Sequence, residues 1–278
     1  MDKLNYPRLL VGLLCLLALT GWSCSKTGDT HSSYAGKKAF FLIGEHEYGT
    51  PVSLPAFAKA ELEPLGIECQ FVFAKSDDRK SPDCHNFDGI EALNSADILI
   101  LSTRRRFPTE RDMATIRHFI ESGKPVIGIR TASHAFGERE KGDGYQAPAG
   151  HAAWNTFDVD VLGVSYQGHY PEKEGQGPLA VQAFIAENAG EHPIVKNLDF
   201  SLPFMIGNKL YEYIDPDPAI KVLVQARYKE GEPVFPVAWT NEKNGKRVFY
   251  MSPGSPEEMA LPQVQSLLKA AVLWGLNG

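Results

Sequence analysis

The amino-acid sequence predicts an α/β protein with a doubly wound, mostly parallel sheet and helices on both faces, a three-layer sandwich. Residues 38–130 alternate between short β-rich runs and longer helical patterns, which is the rhythm of consecutive βαβ units. The runs 97–102 and 125–130 are almost continuously apolar, as is typical of strands buried on both faces. A second set of strand-like runs and an apolar helical pattern follow after residue 219 and complete the domain.

Each predicted element follows from local pattern. The helix at 53–66 tolerates Pro55 in its first turn, and the amphipathic helix at 109–123 is closed by Gly123. The remaining helices are predicted at 87–96 and 262–276. The predicted strands are 38–44, 67–74, 97–102, 125–130, 220–228, 235–242 and 247–254.

The N-terminus is typical of an export signal. Lys3 and Arg8 precede the apolar run LLVGLLCLLALTGW, which is too short to span a bilayer as a permanent helix. We expect a signal peptide at residues 1–23, and Cys24 resembles the lipidated cysteine of bacterial lipoproteins. Ordinary signal cleavage and a structural helix are the alternatives. The prediction is a periplasmic or cell-envelope lipoprotein with a membrane lipid anchor, a flexible tether at 24–36 and a folded domain at 37–278.

Charge and cysteine content exclude some classes of function. The net charge is −6 and the sequence contains no basic stripe, so nucleic acid is not an expected partner. Outside the N-terminal segment only Cys69 and Cys84 remain, and their settings favour separate thiols over a disulfide. A homodimer is compatible with the sequence, which does not define the oligomeric state.

Ligands of doubly wound sheets bind beyond the carboxyl ends of the strands. The segments GEHEYGTP, STRRRFPTE and RTASHAFGERE follow the first, third and fourth strands of the predicted parallel set. His46, Arg130 and His134 are therefore expected at one edge of the sheet. Of the consecutive arginines 104–106, Arg104 or Arg105 is expected to line the crevice, since three successive side chains diverge.

Several segments together resemble the trehalose-utilisation (ThuA-like) family. They include LSTRRRFP, GKPVIGIRTASHAF, PAGHAAWNTFD, LGVSYQGH and FPVAWTNEKNGKRVFYMSPG, and the resemblance runs from about Lys38 to Trp274. It implies a fold similar to that of the class I glutamine amidotransferases, which is flavodoxin-like. It also implies a small-molecule carbohydrate as partner, with trehalose-like or keto-disaccharides as substrates. A non-catalytic sugar-binding or assembly module is the alternative.

By this resemblance, Arg130 stands where the amidotransferases carry their cysteine nucleophile. Ser255 stands at the position of their histidine, with Glu257 retained two residues later. A guanidinium does not deprotonate in a protein, so Arg130 can bind or orient a ligand or stabilise negative charge. We therefore expect no glutaminase activity and leave open a hydrolase or an isomerase of sugar metabolism.

The candidate site residues combine loop position with side-chain chemistry. His46, His134 and Glu47 are the predicted catalytic residues. The predicted substrate-binding residues are Tyr48, Arg104, Arg105, Arg130, Ser133, His151, Trp154 and His169, of which His151 and His169 are included through the resemblance alone. Tyr166, Tyr211 and Glu212 are further candidates.

Five alternatives remain open for these residues. A Ser133–His134 pair is disfavoured, because successive helical positions point in different directions. Glu45 and Glu47 could form a glycosidase-type carboxylate pair. The loop histidines could hold a divalent metal, although the sequence requires no cofactor, or could merely satisfy backbone groups. Tyr48, Trp154 and Tyr166 could belong to the core.

Overall fold

The structure is a computed structural model that describes residues 33–138, 147–170, 181–199, 204–206 and 209–278. The predicted signal peptide, Cys24 and most of the predicted tether lie outside the described residues. Among the residues described, no helix is long and apolar enough to cross a membrane.

Eleven strands are found in the described ranges. Nine of them form one sheet in the order β2-β1-β3-β4-β11-β10-β9-β6-β7, and β5 pairs with β8 in a separate two-stranded sheet. The strands are β1 (Lys38–Gly44), β2 (Glu68–Phe73), β3 (Ile98–Thr103), β4 (Val126–Ile129), β5 (Ser165–Tyr170), β6 (Val181–Ile185), β7 (Phe204–Ile206), β8 (Leu210–Ile214), β9 (Ile220–Arg227), β10 (Phe235–Asn241) and β11 (Val248–Met251).

The first half of the large sheet is parallel, since β2, β1, β3, β4 and β11 all run in one direction. The second half is antiparallel from β11 through β7. Side chains of β1 alternate between the two faces: Phe41 and Ile43 enter one apolar cluster, and Phe40 and Leu42 enter the other. Both faces are therefore buried, which explains the continuous apolar runs of these strands.

Helical segments cover both faces. One face carries α1 (Thr50–Phe57) and α4 (Pro262–Leu276). Helix α1 continues as a short π-helix, Ala58–Leu62, and a 3₁₀ turn, Glu63–Leu65. The other carries α2 (Glu110–Glu121) and a 3₁₀ segment, Ile90–Ser95. The short helix α3 (Pro256–Met259) precedes α4. The predicted three-layer α/β fold is confirmed.

Two helix predictions differ from the structure in detail. The first helix begins at Thr50, three residues earlier than predicted, because the buried Glu45 carboxylate accepts the N–H groups of Tyr48 and Thr50 and caps its start. The helix predicted at 87–96 forms only the 3₁₀ segment. The helix predicted at 109–123 is confirmed, with Thr109 accepting the Asp112 N–H and Gly123 in the left-handed region.

Candidate functional site

Three loops meet at the carboxyl edge of the parallel half. They follow β1, β3 and β4, which are neighbours in the order β1-β3-β4. His46 and His134 therefore lie at the same edge, beyond strand ends about 10 Å apart, because each step between neighbouring strands is about 4.8 Å. The predicted edge of the sheet is confirmed.

Arg130 forms a strained turn between β4 and a following 3₁₀ segment, Arg130–His134. Its φ of 45° is in the left-handed region, which is uncommon for a residue with a Cβ. Gly254 allows this turn to lie close to the end of β11, since a Cβ at Gly254 would be 3.1 Å from the Arg130 Cβ. The backbone thus has the strand-to-helix turn expected of a nucleophile position, but an arginine occupies it.

The Arg130 side chain is 2% exposed and lies among partners of its own. Its Nη1 donates to the Ser252 carbonyl at 2.9 Å and lies 3.8 Å from Glu258 Oε2. The guanidinium carbon is 3.9 Å from the centre of the Tyr48 ring and 5.2 Å from that of Tyr211. Burial opposes the charge, yet the nearby Tyr211 and Glu258 outweigh it and raise the pKa of Arg130. Arg130 is therefore a fixed cation beneath two tyrosines.

The carboxylate beside Arg130 is that of Glu258. The resemblance to the amidotransferases indicated Glu257, one residue earlier, which is wrong. Glu257 is exposed, whereas Glu258 is buried and its Oε2 accepts the N–H groups of Gly254 and Ser255. Ser255 accepts the Glu258 N–H in return, which completes a capping box at the start of α3. The spacing Ser-x-x-Glu could have identified Glu258 from the sequence alone.

His134 is a half-buried imidazole stacked on Tyr166, with ring centres 4.6 Å apart and planes inclined by 21°. Burial, followed by the charges of Arg105 and Arg104, holds its pKa well below the ordinary value, so the ring is neutral at neutral pH. Ser133 Oγ is 3.0 Å from His134 Nδ1. The predicted divergence of the Ser133 and His134 side chains is therefore wrong, because the irregular 3₁₀ turn brings the two side chains together.

The strands β5 and β8 contribute an aromatic wall around His134. Tyr211 contacts Tyr166 and His169, with ring centres 5.0 and 4.9 Å apart, and it also borders Arg130. On the next inward-facing position of β8, Tyr213 donates to the Tyr250 hydroxyl, which donates to the Arg130 carbonyl at 2.6 Å. Arg130, His134 and His169 are thus brought together through Tyr211.

A cavity of about 180 Å³ opens beside His134. Gly137 has a φ of 141°, and a Cβ there would be 2.0 Å from Asn155 Oδ1, so only glycine lets the Asn155 amide approach. The lining combines aromatic rings with amide, carboxylate and cationic groups. It consists of Arg105, Ser133, His134, Ala135, Phe136, Gly137, Glu138, Trp154, Asn155, Phe157, Asp158, Tyr166, Gln167 and Gly168.

Trp154 has a structural role as well as a place in the cavity wall. Its indole N–H donates to Asp160 at 2.7 Å, and the Arg117 guanidinium lies 3.8 Å from its ring centre. The ring is buried in the apolar cluster against Phe157. One face of the indole is therefore occupied by Arg117, as expected for a core tryptophan.

The remaining predicted residues lie in two other places. His46, Glu47 and Arg104 line a second depression, in which Glu47 and Arg104 form an ion pair of 2.6 Å. His151 lies 3.1 Å from Asn86 and borders His85. Among the described residues, no hydrogen bond, ion pair or ring contact joins His46 or His151 to His134. The expected convergence of His46, Arg130, His134, His151 and His169 on one pocket is therefore not seen.

The structure also bears on the carboxylate pair, the metal site and the cysteines considered from the sequence. Glu45 is committed to its helix cap and Glu47 to Arg104, so they do not present a free carboxylate pair. Within the described ranges, no group of three or more His, Cys, Asp or Glu side chains could hold a metal ion. Cys69 and Cys84 are separate thiols, as predicted.

Fold and site together define a three-layer α/β protein with a buried arginine on the strained turn after β4. The chain belongs to the trehalose utilisation (ThuA) family, whose model matches residues 53–275. This membership supports a role in carbohydrate utilisation. No curated protein matches the chain.

Solved structures agree on the fold. A ThuA-like protein from Parabacteroides merdae ATCC 43184 is 15% identical, with a TM-score of 0.61 over 87% of this chain and 90% of that one. The mmIFT52 N-terminal domain is 10% identical, with a TM-score of 0.52 over 87% and 98%.

Proposed function

We propose that the cavity beside His134 binds a small carbohydrate, and that the protein acts on trehalose-like or keto-disaccharides. Membership of the trehalose utilisation family supports this substrate class. The lining does so as well, because sugar recognition combines aromatic surface with convergent polar groups, here Tyr166 with Asn155 and Gln167.

The observation that carries an enzymatic role is the neutral His134 imidazole. Its depressed pKa leaves a ring nitrogen able to accept a proton at neutral pH, and the stacked Tyr166 fixes the ring plane. Arg105, in the wall of the same cavity, supplies positive charge where negative charge would develop on a substrate oxygen. His134 is thus the proposed general base, and a hydroxyl or a carbon acid beside a keto group is the proposed proton donor.

Other predicted residues have supporting positions in this proposal. Arg130 is not among the residues that line the cavity, so it would act through the two rings that it contacts, Tyr211 and Tyr48. His169 borders Tyr211 on the side of His134. His46 and Glu47 belong to the neighbouring depression and would meet only a ligand that extends into it.

A non-catalytic sugar-binding module is the second candidate function. It is favoured by the replacement of the thiol by Arg130 and by the capping role of Ser255 at the histidine position. Neither residue can carry out thiol chemistry, so we also propose that glutaminase activity is absent.

The test combines binding and turnover of trehalose, other disaccharides and their keto forms, with and without divalent metal. We expect saturable binding that His134→Ala weakens at least about tenfold, equivalent to 1.4 kcal/mol. His118→Ala is the matched control, because His118 is exposed on α2. Product formed by the wild type and lost in His134→Ala supports the enzyme, whereas saturable binding by the wild type with no product from any sugar supports the module. Equal binding by both variants contradicts the proposed site.

We also propose export to the cell envelope with a lipid on Cys24, on the basis of the N-terminal sequence pattern. Metabolic labelling with a lipid precursor should mark the wild type and not Cys24→Ala. Labelling and membrane association that survive this substitution would contradict the lipid anchor.

A further inference from the structure

The second depression at the carboxyl edge has a volume of about 420 Å³ and a mixed charged lining. Three arginines surround it: Arg79, Arg104 and Arg106. Three carboxylates and His46 complete the lining, the carboxylates being Glu45, Glu47 and Asp77. Which of these charges are already neutralised decides what the depression can bind.

Two of the three carboxylates already have hydrogen-bond or ion-pair partners within the protein. Both Glu45 oxygens accept hydrogen bonds from the start of α1, two from backbone N–H groups and one from the Thr50 hydroxyl. Glu47 is paired with Arg104. Asp77, the remaining carboxylate, is exposed. Arg106 and Arg79 are therefore the arginines whose charge is not matched by an ion pair in the described residues.

Arg106 is the unusual member of this group. The residue is only 3% exposed, yet no hydrogen bond or ion pair to its guanidinium is found among the described residues, and its Nε is fully buried without a partner. Its backbone N–H donates to the Ala135 carbonyl, and its stem passes Gly44, where a Cβ would be 3.2 Å from Arg106 Cγ. The chain thus holds this side chain in place.

A buried charge without a partner is costly, and proteins almost always pair such groups. Burial, reinforced by the charges of Arg79 and Arg104 and partly offset by Cys84 and Glu45, already lowers the pKa of Arg106, but a guanidinium stays protonated at neutral pH. A cation fixed beside an open depression, with its donors unused, is suited to a bidentate oxyanion.

We propose that this depression is a binding site for a compact oxyanion, a carboxylate or a phosphate group of a small molecule, with Arg106 as its principal donor. Arg79 and His46 lie at the same depression and supply further donors. The site is distinct from the cavity beside His134, and the inference does not depend on the proposed sugar function.

The site is tested by calorimetry and by the melting temperature. The protein is titrated with inorganic phosphate, with glucuronate and with neutral glucose, and sodium chloride keeps the ionic strength constant. We expect phosphate or glucuronate to bind and to raise the melting temperature, and glucose to have no effect at this site. Binding of phosphate but not glucuronate would indicate a phosphorylated ligand. Binding of glucuronate but not phosphate would indicate a sugar acid. Failure of both anions to bind at millimolar concentration would overturn the proposal.

The decisive variant is Arg106→Met, which keeps the length of the stem and removes the donors. It should lose at least about tenfold in anion affinity, while Arg111→Met, with the same charge change on exposed α2, should bind as the wild type does. If Arg106→Met does not fold, Arg106→Lys keeps the charge but lacks the bidentate geometry and should bind several-fold more weakly. Unchanged affinity in the folded Arg106 variant would overturn the proposal. Disaccharide binding by His134→Ala is a separate measurement, so the two proposals fail independently.

Discussion

Replacing Glu258 by glutamine tests the buried ion pair that underlies the aromatic wall. Both partners are almost fully buried, with the side chains of Glu258 and Arg130 1% and 3% exposed, and Glu258 Oε2 alone accepts the N–H groups of Gly254 and Ser255. A glutamine oxygen can keep those two hydrogen bonds. The change therefore removes mainly the charge and leaves Arg130 as a buried cation without its counter-ion.

Removal of one partner of a buried pair typically costs about 3–5 kcal/mol. This is a large part of the roughly 5–15 kcal/mol by which a domain is stable. At about 2–4 °C per kcal/mol for a chain of this size, the melting temperature of Glu258→Gln should fall by about 6–20 °C. Urea unfolding followed by tryptophan fluorescence would give the same difference in the free energy of unfolding.

The matched control is Glu257→Gln, the same change one residue earlier on an exposed side chain. It should alter the free energy of unfolding by less than about 0.5 kcal/mol. Adding Arg130→Met to Glu258→Gln should recover part of the loss, because the uncompensated charge is then gone. Equal effects of the two glutamine variants, or strictly additive losses in the double variant, would refute the role assigned to Glu258.

Three further predictions concern titration, thiol reactivity and the cavity wall. The pKa of His134 is lowered on folding, so the contribution of its neutral ring to stability is complete above pH 6.5 and is lost as the pH falls below that value. Below pH 6.5, His134→Gln should therefore reduce the slope of the unfolding free energy against pH by the amount that corresponds to about one bound proton. Burial and the nearby Glu63 raise the pKa of Cys69 to about 12, so peptide mapping should find it unmodified by a thiol reagent until the protein unfolds. Gly137→Ala would force a Cβ into Asn155 and should weaken disaccharide binding about tenfold in calorimetry, whereas unchanged affinity would exclude that wall from the site.

Periodicity in the sequence predicted the elements that are buried on both faces. Strands β1, β3 and β4 are apolar throughout because helices cover both sides of the sheet, and this pattern is visible without any long-range contact. The segment 87–96 has apolar residues at helical spacing but forms only a 3₁₀ turn. The strands of the second half were recognised only in part, and β5 and β8 were not predicted, because pairing in a separate small sheet depends on long-range contacts.

The site was predictable as far as strand order determines it. Parallel strands bring their following loops to one edge, which placed His46, Arg130 and His134 correctly at that edge. Side-chain direction decided the rest: His46 faces the depression with Arg104, and His134 faces the cavity with Tyr166. Neither the approach of Tyr211 to Arg130 nor the partner of His151 has a local signal in the sequence, because each contact joins distant segments.

Titration of the ¹⁵N-labelled histidine rings with trehalose and keto-disaccharides, followed by NMR, tests the proposed sugar site most directly. We expect the His134 ring resonances to shift, and the shift to saturate, as the sugar binds. His192, which contacts Trp274 and Glu242, should not respond and serves as the internal control. Saturable sugar binding that leaves the His134 resonances unchanged would contradict the proposed site.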